Sequence, residues 1–316
     1  MQRQNLMFAA IASVLFIMTP EANAAAAQRT FVASYGLDTN PCSLSAPCRG
    51  FQAAINAVAA HGEVVALDSA GYGTMSIAKS VSVIVPPGIH AGLSPGAGIP
   101  LPGYVGESTV VLIDIQNADV VVLRGLNVNR QGTVTFGIAW VSTHGGTVHI
   151  ENTVVNGFPQ EGVFVEAVSG SLYMKDTELR GNNVGLWMRG DRGHMTTVAD
   201  RLRVEGNSFA GIAAEEDVQA EIRDCNVAGN LYGIWLNASV TGGNVVLTDC
   251  MIAESNTAFY FNADVPMSVS LSASTLVDIV HGHHEFGASQ NVISFGNNAV
   301  KNVGGPGPIN ATLLLQ

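Results

Sequence analysis

A repeat of about 24 residues runs through the C-terminal half of the chain, and few architectures accept one. Its clearest copies begin at Thr147, Ser171, Gln219 and Asn244. One equivalent point is held by Asn152, Asp176, Arg201, Asp224, Asp249, Ala273 and Asn297, spaced 23 to 25 residues apart. A fixed period of this length marks a solenoid or an array. Each copy contains three short alternating runs, such as 220–222, 226–227 and 233–237. The same turn position recurs at constant spacing, so each run stacks on its equivalent in the next copy instead of folding back as a hairpin. That pattern predicts an all-β parallel β-helix. The ladders Asn152/Asp176 and Asp224/Asp249 are expected to serve a sharp turn.

The chain divides into four stretches. Residues 1–24 read as a signal peptide: Arg3 is a short basic start, Leu6 to Met18 an apolar run, and Ala22-Asn23-Ala24 a cleavage site. An apolar run of that length is too short to span a bilayer, and no second run is longer, so no transmembrane segment is expected. Residues 25–62 form an N-terminal cap region. There Thr30–Ala33 reads as a strand and Phe51–Ala60 as an amphipathic helix with Phe51, Ala54, Ile55 and Val58 on one face, stopped by Gly62. A solenoid needs such a cover over the apolar end of its first coil. Residues 63–303 form the helix of strands, interrupted at 94–106 by a Pro/Gly-rich inserted loop. Residues 304–316 are a tail, either packing on the last coil or adding a final strand.

The net charge is −11, and removing Arg3 and Glu21 with the signal leaves it unchanged. Such a chain lacks the basic footprint of a nucleic-acid binder. An exported chain meets an oxidising compartment, which favours a Cys42–Cys48 disulfide. Cys225 and Cys250 lie one repeat apart, about 4.8 Å if the repeats stack. They either form a second bond or belong to a ladder of small residues with Thr153, Thr177 and Ser274.

The repeat V-x-I-x-[DN]-x-x-[VI]-x-x-N-x-x-G-[IV]-x-[LV], with the helix-capped N-terminal region, resembles the right-handed parallel β-helix (pectin-lyase-like) superfamily over about Thr30 to Val303. The resemblance implies a right-handed parallel β-helix solenoid with a short N-terminal helical cap. It implies little about activity, because the superfamily includes lyases, hydrolases, epimerases, adhesins and binding proteins. The N-T-D and D-D elements of its pectin-degrading hydrolases are missing. His144 in THGG and His281 in VHGHHEF only echo their histidine element.

One strand per repeat carries the candidate site: GIAWV, GVFVE, GLWMR, GIAAE, GIWLN and AFYFN. Alternation points Ile138/Trp140, Val163/Val165, Leu186/Met188, Ile212/Ala214, Ile234/Leu236 and Phe259/Phe261 inward. The outer face then presents four aromatic rings, Phe164, Trp187, Trp235 and Tyr260, beside a polar column of Glu166, Arg189, Glu215, Asn237 and Asn262. Flat rings beside hydroxyl-binding groups suit a sugar polymer. The same stripe could instead be a second core layer beneath the inserted loop.

Three functions fit this face. The first is an exported protein binding polysaccharide along Phe164, Trp187, Trp235, Tyr260, Asn237 and Asn262. The second is a polysaccharide lyase or glycoside hydrolase with Glu166, Arg189 and Glu215 as catalytic groups. The two glutamates would sit two rungs apart, about 9.6 Å, a separation near that of inverting glycosidases. The third is a structural or adhesive surface protein. No cofactor is required. A Ca²⁺ ion beside Asp191 or Asp217 has no clustered ligand motif behind it. His281, His283 and His284 lack a ligand-spaced partner beyond Glu285, and only His281 and His283 are expected to share a face, so no metal site is assigned. The expected partner is a glycan and the expected location periplasmic or secreted.

Overall fold

The computed structural model describes residues 26–93, 97–287, 290–305 and 307–312. The 1–24 signal expectation lies outside them. Strands stack in parallel register into a solenoid of about nine turns. They form three ribbons along one axis. The first opens with Ala27–Val32, Val58–Ala66 and Val81–Ile84 and continues through Thr147–Glu151 to Asn291–Ser294. The second includes Leu126–Asn129, Val154–Asn156 and Asn226–Ala228. The third holds Ser108–Ile113, Phe136–Ser142, Glu161–Ala167, the start of Val184–Glu205, the start of Ala210–Arg223, Tyr232–Ala238, Thr257–Ala263 and His281–Gly287. Val184–Glu205 and Ala210–Arg223 are long because they pass from one ribbon into the next without a break. Ala311–Thr312 pairs with Ile293–Ser294, so part of the tail adds a strand.

The bore is apolar along its length. All twelve inward residues expected on the third ribbon are at most 1% exposed. Alternation alone places them correctly because one face is dry.

The repeating point 152/176/201/224/249/273 is a backbone device. Asn152, Asp176, Arg201, Asp224, Asp249 and Ala273 all take left-handed φ between 48° and 54°. Asn and Asp tolerate this region well. Arg201 and Ala273 adopt it because the rungs on either side fix the turn. Gly125 (φ 80°) fills the same corner one coil earlier, and at the last copy Gly296 (φ 82°) makes the turn in place of Asn297. The next corner holds a buried asparagine ladder. Asn182 Nδ2 donates to Val155 O, and the N–H of Asn182 donates to Asn207 Oδ1. Asn207 repeats this with Leu179 O and Asn230 Oδ1, and Asn230 Nδ2 donates to Val204 O. Each amide thereby satisfies backbone groups that the corner would otherwise bury unpaired.

Cys225 and Cys250 are bonded across adjacent rungs, Cα atoms 4.5 Å apart, and Cys42 is bonded to Cys48. The small-residue ladder is present too: Thr153, Thr177 and Ser274 turn their hydroxyls back onto the carbonyls of Glu151, Lys175 and Ser272.

The cap helix is shorter than its pattern predicts. It spans Phe51–Ala57 and buries Phe51, Ala54 and Ile55. Val58 is already extended, because 58–66 is drawn into a strand beside Ala27–Val32. Gly62 lies inside that strand, where a Cβ would sit 2.6 Å from Gln28 O, so it permits close backbone approach instead of stopping the helix. The inserted loop carries a two-residue antiparallel pairing, Ile99–Pro100 with Ser108–Thr109, which roots it on the third ribbon.

Candidate functional site

The outer face of the third ribbon carries three columns. The middle and far columns are those expected from alternation. A further column runs Phe136, Glu161, Val184, Ala210, Tyr232, Thr257 and His281, one residue before the repeat glycine. Its members pack with the middle column, Val184 and Ala210 joining Ala213, Trp187 and Trp235 in one cluster, and the intervening glycine leaves no room for a side chain. At Gly185 a Cβ would lie 2.6 Å from Gly211 O and 2.7 Å from Val204 Cγ1. Phe136 and Ala139 therefore both join the cluster of Leu101, Leu112, Val141 and Phe164, apart from the bore.

The inserted loop covers one end of this face. Leu101 and Tyr104 pack on Phe136 and Phe164, with Tyr104 edge-on to Phe164 at 5.5 Å. Phe164 is only 2% exposed. The sequence reading of Phe164 as a surface ring is corrected on this point: the loop hides it, and it supports the loop instead of facing a ligand.

Past the loop the rings come to the surface. Trp187 lies edge-to-face with Phe164 at 6.2 Å and with Trp235 at 5.8 Å. Phe209 and Tyr232 pack beside Trp235, and Tyr232 lies 4.4 Å from Tyr260. Tyr260 stacks on His284 at 5.4 Å with an interplanar angle of 3°. Trp187, Trp235, Tyr232 and Tyr260 are half-buried, and His284 is exposed. The result is a continuous aromatic track along the axis.

The polar column forms a connected network. Arg189 stands between Glu166 and Glu215 in register. Its Nη1 lies 3.4 Å from Glu166 Oε1 and donates to Tyr104 Oη at 3.0 Å. Nη2 donates to Asp191 Oδ2 at 3.1 Å. Nε lies 3.1 Å from Glu215 Oε2, a charge contact off the hydrogen-bond line. Burial disfavours the Arg189 charge, but Glu215, Asp191, Tyr104 and Glu166 outweigh it and hold its pKa above the ordinary value. Glu166 is buried. Its Oε2 accepts from Tyr104 Oη at 2.8 Å and lies 3.2 Å from Arg192 Nη2. Burial and the Glu166 carboxylate push the Tyr104 phenol up. Asn237 Nδ2 donates to Glu215 Oε1, and Asn262 Nδ2 donates to Asn237 Oδ1, each at 3.0 Å. The trio Glu166, Arg189 and Glu215 is thus assembled, with both oxygens of Glu166 already held by protein.

The sequence reading missed Glu161 and Glu107. Glu161 is 3% exposed beneath the loop. Burial pushes its carboxyl up to about 7, with the Glu107 charge adding and Arg189 opposing. Glu107 Oε2 is buried without a hydrogen-bond partner among the described residues. The signal for Glu161 was its place one residue before the repeat glycine. The signal for the loop's role was Tyr104, the one aromatic in a Pro/Gly-rich insertion.

Other acids are committed elsewhere. Glu216 (φ 59°) accepts from the N–H groups of Ser239, Val240 and Thr241 and clamps the next turn. Asp217 pairs with His194 at 2.9 Å. The described residues hold no group of three metal-ligating side chains. His283 aligns with inward Phe259, whereas His281 and His284 align with outward Thr257 and Tyr260. His281 and His284 thus align with the outer columns and His283 does not, which corrects the expected His281/His283 pairing.

A family model described as "Periplasmic copper-binding protein (NosD)" matches residues 104–275, more than half of the chain. No curated protein matches the sequence. Among solved structures, pectate lyase Pel9A is similar at TM-score 0.66 and 16% identity, covering 90% of this chain and 77% of that one. A rhamnogalacturonan lyase is similar at TM-score 0.60 and 12% identity, covering 91% and 85%. XylC in complex with xylose is similar at TM-score 0.55 and 8% identity, covering 84% and 68%. At these identities the likeness is one of fold. The family description names copper, and the described residues hold no group of three His, Cys, Asp or Glu side chains that could seat it. All four cysteines are in disulfides, so no thiolate is free. Met75, Met174, Met188, Met195 and Met267 are buried in the bore, at most 2% exposed, whereas Met251 is exposed.

Proposed function

The chain belongs to the NosD family, and from that premise we propose that it is an exported β-helix protein that binds polysaccharide along the outer face of its third ribbon. The observation that carries this reading is the track Trp187–Trp235–Phe209–Tyr232–Tyr260–His284, flanked by the amides of Asn237 and Asn262. Half-buried rings in a row offer apolar faces to sugar C–H surfaces, and the amides offer donors and acceptors to hydroxyls. Two disulfides fit a location outside the cytoplasm, periplasmic or secreted. Among the described residues no helix is long and apolar enough to cross a membrane.

In this reading Glu166, Arg189 and Glu215 hold the loop and the polar edge of the track in place. The repeat ladders supply the rigid spacing that keeps the rings in line. The test is retention of the purified protein on a panel of insoluble and gel-embedded polysaccharides. Retention lost in Trp235→Ala, with the circular dichroism of the β-helix unchanged, is the expected result. Retention unaffected by Trp235→Ala and Tyr260→Ala together would sink the reading.

A further inference from the structure

Resting on the track described above, we infer that its ligand is an uncharged, hydroxyl-rich polysaccharide and that polyuronates are excluded by the track's own charges. Recognition of a uronate carboxylate needs a cation with donors to spare. Arg189 and Arg192 are the cations placed beside the rings. Arg189 is already ringed by acids: Nη1 donates to Tyr104 and lies near Glu166, Nη2 donates to Asp191, and Nε, buried and without a hydrogen bond, is in charge contact with Glu215. Arg192 Nη2 is held by Glu166. Two guanidinium groups thus face Glu166, Glu215 and Asp191, with Glu107 and Glu161 close behind, so the local balance is acidic. A polyanion approaching here meets guanidinium groups already paired with carboxylates and more fixed negative than positive charge, within a protein of net charge −11.

The open end of the track has the opposite character. Hydrogen bonds there run in one direction. Asn262 donates to Asn237, Asn237 donates to Glu215, and Glu215 faces Arg189. This order leaves Asn262 Oδ1 with no donor from the protein among the described residues, while Asn262 itself is exposed. The edge of the track is therefore an acceptor, suited to a sugar hydroxyl or acetamido N–H. Beside it lie Trp235 and Tyr260, which suit the C–H face of a neutral pyranose. Polymers of this chemistry include glucans, arabinoxylans and N-acetylhexosamine chains.

The experiment is native affinity electrophoresis of the exported chain in gels containing mixed-linkage glucan, arabinoxylan, glycol chitin or polygalacturonate, at one pH and two salt concentrations. The expected result is retardation by at least one of the first three, weakened about tenfold or more by Trp235→Ala, and none by polygalacturonate. Glu215→Gln removes one fixed negative charge beside Arg189 and is expected to create polygalacturonate retardation that salt removes. Retardation of the native protein by polygalacturonate, lost in Trp235→Ala, would overturn the neutral class while leaving the track standing as a binding site. No retardation by any polymer would overturn both the track and its ligand class.

Discussion

Trp187 and Trp235 meet edge-to-face, ring centroids 5.8 Å apart, across a rung that neither belongs to. The residue between them in register is Ala213, fully buried beneath the two rings. Two rungs separate their backbones by about 9.6 Å, so contact depends on both indoles leaning over a methyl group. Ala213→Leu should force them apart. We expect a cost of about 1–3 kcal/mol from overpacking, a change in tryptophan fluorescence, and loss of polysaccharide retention. Unfolding curves and emission spectra of the native and variant proteins check this. Unchanged spectra would mean that Ala213 is not the spacer of the pair.

The asparagine ladder predicts a graded response. Asn207 Oδ1 accepts from Asn182, and its Nδ2 donates to Leu179 O and Asn230 Oδ1. Asn207→Leu would leave the buried Leu179 carbonyl and the Asn182 N–H without partners, at about 1–3 kcal/mol for each group. Asn207→Ser should cost less, because Ser255 holds the same corner one rung beyond Asn230 and bonds to Ala253 O. Thermal unfolding midpoints in the order native, Ser, Leu are the expected outcome. Equal midpoints would show that the ladder does not hold the corner.

How far these features were legible depends on whether a residue answers to its own strand or to a distant one. Inward positions such as Leu186, Met188 and Phe259 were readable because the dry bore enforces a period of two. The left-handed corner was readable as a position, though its cause was not: Arg201 and Ala273 stand where Asn and Asp do because φ is what repeats. Glu161 was readable as a position, one residue before the repeat glycine, but not as part of the outer face, since alternation from Val163 points it into the bore. Phe164 looked like its neighbours Trp187 and Trp235. Only the fold of a loop distant in the sequence, through Tyr104, decides that it is covered. The cysteine alternatives proved compatible, because a stacked column of small residues places two sulfurs at bonding range.

Tyr104 ties that loop down through one hydroxyl, which donates to Glu166 and accepts from Arg189. Tyr104→Phe keeps the ring against Phe164 and removes both bonds. Losing bonds to charged groups should cost about 1.5–3 kcal/mol. The loop opens locally, so amide exchange over 99–107 should speed up by about tenfold or more, while exchange in the 232–238 strand stays the same. Equal exchange in both proteins would assign the loop's hold to Leu101 and Phe164 packing alone.

Glu161 makes stability depend on pH in a window of its own. Its carboxyl titrates near 7 in the folded protein against an ordinary value of 4.5. Below about pH 4.5 it is neutral in both states and costs nothing. Between 4.5 and 7 the unfolded chain ionises while the folded one keeps its proton, so the folded state binds more protons and stability falls as pH rises. Above 7 the full cost persists, about 3 kcal/mol for such a shift. Asp119 and Glu216 act in a lower range: burial raises them, but their hydrogen bonds outweigh it and hold both below the ordinary carboxylate values, so their contribution is complete by about pH 5. The difference between the native protein and Glu161→Gln in unfolding midpoints at pH 5 and pH 8 isolates Glu161 from the histidines, which also change charge in this window. The native protein should lose stability over that interval, and Glu161→Gln should flatten the loss by retaining the neutral hydrogen-bonding shape beside Glu107. A pH dependence that survives unchanged in Glu161→Gln would place the titrating group elsewhere.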